Sequence, residues 1–428
     1  MNHSNRTRLQ VLVISTYFAP DVCGIAPIVG DLCEGLTQNG HSVTVLTSFP
    51  HYPEWKNKEQ CRPWSKRTEV QPDGTEVVRH GAFIPKQPSG ISGRLCYEFS
   101  MFLSLLRSLR TRGRRFDVMY VVCPSIGNVL FARLRAWFSG EPIVVCIQDI
   151  PADAASTTGL AGNWLGKLAT IVQRWMLSPA ETLTTISPVM ADRIRETVRP
   201  KQPILLTPNW LVGNIAAAVE RSREAHSESG CPKTRVLFYS GNIGSKQGLA
   251  AFCRTLQQLD LPFQMTIHGD GAAAPELHDH LDRSGDPRFK HGPLLSAEAF
   301  VERLKRTDWF VITEKSGMGT AVMPSKLIPA VTLGVPILAV CDPAGALGQA
   351  VSRHQLGICL AWNELNTLQD RLTSTSDEQM EAYRQRCRRF ACTYDRGDRI
   401  AAIERILEVA AAARQVPVGM PETGAANG

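Results

Sequence analysis

The sequence predicts an α/β protein built as two units, each a parallel sheet wound on both faces by helices. Three observations carry this. The chain has 428 residues, more than one ordinary core accommodates. Short apolar runs suited to buried strands alternate with helical patterns over nearly its whole length. The alternation breaks once, at the polar stretch Arg221 to Lys233 (RSREAHSESGCPK), and then restarts. The expected division is a first doubly wound domain over 1–208, a linker over 209–234, a second domain over 235–414 and a disordered tail over 415–428.

Composition narrows the class. Apolar residues make up 43% and charged residues 20%, as in a soluble globular protein. No apolar run reaches bilayer length. The start, MNHSNRTRLQVLVIS, is basic but lacks a cleavage pattern, so no signal peptide is read. Twelve cysteines are scattered without a CxxC pair. That predicts reduced, mostly buried thiols in a cytoplasmic protein, and neither a disulfide framework nor a metal site. The net charge of +7 is diffuse; it suits an anionic partner and gives no case for nucleic acid.

Taken in order, Leu9 to Ser15 reads as a buried strand, about Ile28 to Asn39 as a helix and Ser42 to Leu46 as a second strand. The loop between, YFAPDVCGIAP, carries Gly24, which either admits a ligand or only makes the turn. No GxGxxG fingerprint is present. The next loop holds His51, Tyr52 and Trp55. Aromatic faces with polar tips suit sugar rings; a plain packed loop is the other reading.

Gly90 to Arg115 sets Tyr97, Met101, Leu105 and Leu109 on one stripe. Six arginines (94, 107, 110, 112, 114 and 115) stand against one acid, Glu98. Such a helix either lies on an anionic membrane surface or is a core helix with a solvated basic end. Strands follow at Asp117 to Val122, Ile143 to Ile147, Thr182 to Ile186 and Ile204 to Thr207. Helices between them are expected at about Asn128 to Phe138, Trp164 to Leu177 and Pro188 to Thr197, which makes the sheet parallel. Asp149 falls just past the carboxyl end of a strand, where open sheets place ligand contacts; it equally suits a turn or helix cap.

The second half restarts with a strand at Arg235 to Tyr239 and the loop SGNIGSKQG, which holds Gly241, Asn242, Gly244 and Lys246. A strand at Met265 to His268 precedes Gly269-Asp270-Gly271. Trp309 to Thr313 precedes EKSGMGTAVMPSKLIPAVTLGVP, from Glu314 to Pro336. There a glycine-rich lead runs into Pro324 and Ser325 at a helix start, with Lys326 beside them. Free N–H groups, a hydroxyl and a cation would seat a diphosphate; an ordinary capped helix with a surface lysine is the alternative. Three glycine-bearing loops on one sheet edge, with Lys246 and Lys326, point together to a nucleotide site. Helices at Ser376 to Arg388 and Asp398 to Arg414 finish the chain.

GNIGSKQG, HGDG and MPSKL…LGVPILA, with YFAPDVCGIAP, GHSVTVLTSFPHYPEWK and IQDIPADAASTTGL, resemble the family-4 retaining glycosyltransferases. The likeness runs from about Val11 to Ala411, and HYPEW and PSKL are similar to the colanic-acid-type exopolysaccharide fucosyltransferase branch. It implies the GT-B fold, two Rossmann-like domains facing across a cleft. It also implies a nucleoside-diphosphate sugar donor held by the second half, and a saccharide acceptor, linked to a polyprenyl diphosphate, held by the first. It further implies no cofactor or metal, in keeping with the lack of a DxD-like motif, and a place on the inner face of the plasma membrane.

By that resemblance Gly24 lies near the donor diphosphate, Lys246 contacts it, Gly269 to Gly271 approach the nucleoside, and Ser325 with Lys326 hold phosphate. Asp149 stands near the sugar to be moved. The implied catalytic set is Asp149, Lys246 and Lys326. Gly24, Gly241, Asn242, Gly244, Gly269, Gly271, Glu314, Pro324 and Ser325 would bind donor, and His51, Tyr52 and Trp55 would bind acceptor. One departure stands out: the family's E-x7-E positions hold Ala321 and Pro329, with Glu314 nearby but out of register. Ser245 also stands where an arginine is common. Two other readings are a sugar-nucleotide epimerase or hydrolase, for which no paired carboxylates stand at a useful spacing, and an assembly partner that lost its chemistry.

Overall fold

A computed structural model describes residues 8–21, 24–51, 54–85, 91–109, 114–149, 171, 174–223, 234–315 and 323–413. The first sheet contains β1 (Gln10–Ile14), β2 (Ser42–Ser48), β3 (Lys66–Val70), β4 (Glu76–His80), β5 (Val118–Cys123), β6 (Ile143–Ile147), β7 (Thr182–Thr185) and β8 (Ile204–Leu206). Their order is β3-β4-β2-β1-β5-β6-β7-β8. Every pair is parallel except β3 with β4. The second sheet contains β9 (Arg235–Asn242), β10 (Phe263–Asp270), β11 (Phe289–Gly292), β12 (Trp309–Thr313), β13 (Ile337–Val340) and β14 (Gly357–Leu360). It is all parallel, in the order β11-β10-β9-β12-β13-β14.

Both sheets are covered on two faces, so their strands are apolar on both sides. Leu12 and Ile14 of β1 pack into one cluster, Val11 and Val13 into another. In the second sheet Val311 and Leu338 face one way, Ile312 and Ile337 the other. Leaving β3 aside, the two sheets share one winding. The strand order reverses between β1 and β5 in the first and between β9 and β12 in the second. Crevices at the carboxyl ends of such strand pairs are where doubly wound sheets bind ligands.

Three expectations need correction. The hairpin β3–β4 was not expected, because β3 (KRTEV) is a charged, largely exposed edge strand without an apolar run. The stretch read as a linker from 209 holds a helix, Gly213–Arg223. It packs Ala218 and Val219 against Phe300, Val301 and Leu304 of the helix Ala297–Lys305. Residues 224–233 of that stretch lie outside the described residues.

The third correction concerns the last helix, Arg396–Ala413, expected to close the second domain. It lies on the first sheet, where Ile400, Ile403, Leu407 and Ala410 join Val11, Val13 and Tyr120 in one cluster. Polar contacts hold it there. Arg396 Nε and Trp210 Nε1 both donate to Asp31 Oδ2, each at 2.7 Å. Asn39 Nδ2 and His41 Nε2 approach the Glu404 carboxylate at 2.8 and 2.9 Å. The tail expected over 415–428 lies outside the described residues.

The arginine-rich helix spans Ile91–Leu105 and tightens into a 3-10 turn, Leu106–Ser108. Tyr97, Met101 and Leu105 are buried as the stripe predicts, while Leu95 and Phe99 are exposed. Arg110 and Arg112 lie outside the described residues.

Candidate active site at the edge of the second sheet

At the reversal between β9 and β12 two loops meet. Lys246, in the loop after β9, is exposed, and its carbonyl accepts the Lys315 N–H at 2.8 Å. Glu314, the first residue after β12, donates its N–H to Val340 O at 2.9 Å. The Glu314 carbonyl accepts Trp362 Nε1 at 2.7 Å. The Trp362 ring lies so close to Gly248 (φ +65°) that a Cβ there would sit 2.9 Å from it. Trp362 thus clamps both loops. Sequence reasoning missed it, since only the fold carries residue 362 to this edge.

Lys326 enters this edge from the other side. It is the N-cap residue of the short helix Leu327–Thr332. Its Nζ is shut away from solvent and has no hydrogen-bond partner among the described residues. It stands 4.1 Å over the Tyr239 ring, a cation–π contact. A Cβ on Gly241 (φ +130°) would lie 3.3 Å from Nζ, so glycine there leaves the ammonium room. Burial lowers the Lys326 pKa to about 8, opposed by the charge of Glu314. Burial likewise raises Glu314 to about 7, opposed by Lys326. Glu314, out of register in sequence, is therefore near Lys326 in space. A buried cation without an acceptor is unfavourable in itself, and such perturbed groups gather at functional sites.

Pro324 and Ser325 do not begin the helix as expected. Their carbonyls accept Leu327 N–H at 3.0 Å and Ile328 N–H at 3.2 Å, which makes a turn before it. Ser325 is exposed and makes no side-chain cap. Residues 316–322, including Ala321 of the missing pair, lie outside the described residues, while Pro329 is buried within the helix. The remaining loop glycines serve packing between strand ends. A Cβ on Gly269 would fall 2.0 Å from Gly241 O, and one on Gly271 2.6 Å from Asn242 Oδ1. A Cβ on Gly244 would lie 3.0 Å from Gln247 Oε1. Asn242 is exposed on the rim, and its carbonyl accepts Tyr239 OH at 2.5 Å.

In the first domain, Gly24 takes φ +67° just before the helix Ala26–Gln38, with nothing within 4 Å of where a Cβ would stand. Asp149 is exposed past β6. Gln148 before it exchanges amide hydrogen bonds with Asn209 at 3.2 and 2.9 Å. His51 was expected on a ligand surface. It is fully buried instead, with Nδ1 3.0 Å from Phe49 O and its ring 5.5, 5.4 and 5.3 Å from those of Tyr17, Trp55 and Tyr97. Burial holds its imidazole below the ordinary pKa. Trp55, half-buried at φ +52°, and the half-buried Tyr17 are the members of this cluster that reach the surface; Tyr52 lies outside the described residues.

At the corresponding strand reversal of the first sheet the half-buried charge of Glu98 meets the protein's own donors. The helix Ile126–Ser139 starts there, after β5. Glu98 Oε2 accepts Ser125 Oγ at 2.7 Å and Gly127 N–H at 2.9 Å. Asn128 Nδ2 donates to Thr16 Oγ1 at 3.1 Å.

One group elsewhere has the residue types of a metal site: His41, Glu404 and Glu408, whose ligand atoms lie within 4.8 Å of one another. The hydrogen bonds argue against that use. His41 Nδ1 accepts the Leu9 N–H at 3.1 Å, so Nε2 carries the proton and donates to Glu404 Oε1. A protonated ring nitrogen does not ligate a metal.

Comparison with known proteins gives the family and the fold. Residues 23–210 match the glycosyl transferase 4-like domain. Over 353 residues the chain is 30% identical to the putative colanic acid biosynthesis glycosyl transferase WcaI of Escherichia coli K12, covering 80% of this chain and 85% of that one. It is 24% identical over 399 residues to glycogen synthase of Mycobacterium tuberculosis, 88% of each chain. The solved structure of Anabaena Alr3699/HepE in complex with UDP superposes on 94% of this chain and 100% of that one, with a TM-score of 0.64 at 14% identity, a likeness of fold.

Proposed function

Because the chain belongs to the glycosyl transferase 4-like family of GT-B fold, we propose that it moves a sugar from a nucleoside-diphosphate donor to a lipid-linked saccharide in exopolysaccharide assembly, with retention at the anomeric carbon. The observation that carries the donor reading is Lys326 Nζ, buried at the strand reversal of the second sheet with no hydrogen-bond partner among the described residues. As the sugar–oxygen bond breaks, negative charge gathers on the leaving diphosphate. A cation fixed in a poorly solvated place stabilises that charge more than it does the intact donor. Lys246, exposed on the adjoining loop, adds a second positive charge. Burial raises Glu314 to about 7, so its carboxyl carries less negative charge at neutral pH than an ordinary glutamate would. The scheme uses no metal, since the lysines and main-chain N–H groups supply the positive charge.

Asp149 and Gly24 sit at the carboxyl edge of the first sheet, from which they would face the sugar and its diphosphate. The half-buried rings of Tyr17 and Trp55, packed over His51, would offer an aromatic edge to the acceptor. The name of the E. coli relative supports the exopolysaccharide role.

The test is a panel of nucleotide sugars read by thermal shift, then by nucleotide release with a lipid-linked acceptor extract. A donor that raises the melting temperature of the native chain but not of Lys326→Met supports the seat. If Lys246→Ala and Lys326→Ala both keep normal turnover, the diphosphate scheme is wrong.

The acceptor's lipid places the enzyme at a membrane surface. One helical layer of the first domain supports this: Phe99, Trp137, Phe138, Ile171 and Trp175 are each more than half exposed, and Arg94 on the helix of Phe99 and Arg107 in the turn after it are exposed too. No described helix is long and apolar enough to cross a membrane, so contact would be in the plane of the surface. Co-sedimentation with vesicles containing anionic lipid should be lost on Trp137→Ser with Phe138→Ser. Equal sedimentation of both proteins counts against the surface.

A further inference from the structure

Cys341 and Cys359 lie side by side on the same edge of the second sheet, and the donor site does not use them. Cys359 stands in β14, paired with Ala339 of β13. Cys341 follows β13 directly, two residues on and toward the same face. Their sulfurs are 3.9 Å apart. Cys341 is buried and Cys359 is half-buried.

We infer that the two thiols form an oxidisable pair, in which a hydroperoxide converts Cys359 to a sulfenic acid, Cys341 closes a disulfide, and the loop carrying Glu314 is displaced. In the first step the Cys359 thiolate attacks the peroxide, the O–O bond breaks, and alkoxide or hydroxide leaves and takes a proton. In the second step the Cys341 sulfur, losing its proton, attacks the sulfenic sulfur, and water leaves. Two electrons pass from the two sulfurs to the peroxide.

The roles follow from the surroundings. The two sulfurs lie within hydrogen-bond distance, and a hydrogen bond from Cys341 holds the Cys359 thiol below its ordinary pKa, with the Ser352 hydroxyl acting in the same sense. That favours thiolate at Cys359, the less buried residue of the two. Cys341, raised by the same hydrogen bond and by burial, is the resolving thiol.

Closure moves the site because of what the two strand ends hold. A disulfide requires sulfurs about 2.05 Å apart, and a diagonal pair on neighbouring strands reaches that only if the backbone shifts. The residue before Cys341, Val340, accepts the Glu314 N–H. Trp362, three residues after Cys359, donates to the Glu314 carbonyl. Both supports of Glu314 therefore lie on the segments that closure draws together. The effect on nucleotide binding rests on the donor seat proposed above; the oxidation itself does not.

The experiment treats the reduced full chain with hydrogen peroxide and maps thiols by mass spectrometry without reduction, alongside nucleotide binding. The expected result is a 341–359 cross-link that dithiothreitol reverses, with nucleotide affinity weaker by about tenfold while it persists. Cys359→Ser, or Cys359→Ala if the serine variant folds poorly, should keep its affinity under peroxide. Absence of that cross-link overturns the pair, and a cross-link with unchanged affinity overturns its link to the site. A reduced chain that binds no nucleotide at all tells against the donor seat, and the cross-link then decides the pair alone.

Discussion

The two sheets share a winding but treat the crevice at their strand reversal in opposite ways. In the first, the N–H groups at the start of a helix meet a carboxylate of the same chain, Glu98, which also takes the Ser125 hydroxyl. In the second, a lysine is buried with no acceptor among the described residues. In the first crevice the charged group has its partners from folding, although Asn128 Oδ1 there has no hydrogen-bond partner among the described residues. In the second the charge itself is left for a ligand, and its sign states which kind. Topology offers the place twice; only one of the two places keeps a buried charge without an acceptor among the described residues.

The sharpest way to break this contrast is Lys326→Met. Loss of the ammonium should raise the barrier to transfer by about 2–4 kcal/mol. The same change should stabilise the unliganded chain in urea by about 1–3 kcal/mol, because a buried ammonium with no hydrogen-bond acceptor among the described residues is removed. Activity and stability moving down together would mean that the lysine is structural.

Glu98→Ala tests the other crevice and should have the opposite profile. Removing the acceptor leaves Gly127 N–H without its partner, destabilising the chain by about 1–3 kcal/mol, with nucleotide affinity unaltered. A large loss of nucleotide affinity would merge the two crevices into one site.

A weaker handle is pH. Lys326 titrates at about 8 when folded against an ordinary 10.5, so it loses its proton more readily folded than unfolded. The unfolded chain then holds more protons between those values, and stability should rise as pH climbs through that window. Nucleotide affinity should fall over the same climb, since the cation is lost. Glu314 has the reverse sign: raised from 4.5 to about 7, its contribution to stability falls as pH rises between them. Urea midpoints measured from pH 5 to 10 should show both trends, and Lys326→Met should abolish the upper one. The smallest effect is expected from Trp362→Phe, which keeps a ring over Gly248 but deletes one hydrogen bond. About 0.5–1.5 kcal/mol of stability should go, with a rise in KM for donor and little change in kcat.

Much of the fold was legible because buried parallel strands announce themselves as short apolar runs. Ile143–Ile147 and Trp309–Thr313 sit where the sequence puts them. The charged edge strand β3 gave no such signal. The amphipathic last helix showed that it buries a face, not which sheet receives it. PSKL marked Lys326, but its nearness to Glu314 arises between a strand end and a distant turn, which spacing along a helix does not measure. A loop dense in aromatics suggested an exposed wall; rings that pack on one another put His51 inside.

The bonds at Asp31 have a mechanical meaning. The chain passes from one lobe to the other near Trp210 and returns near Arg396, and both passages are bolted to one carboxylate oxygen. Any displacement of one lobe against the other would therefore load both crossing segments at the same oxygen, so the two passages must yield together or not at all.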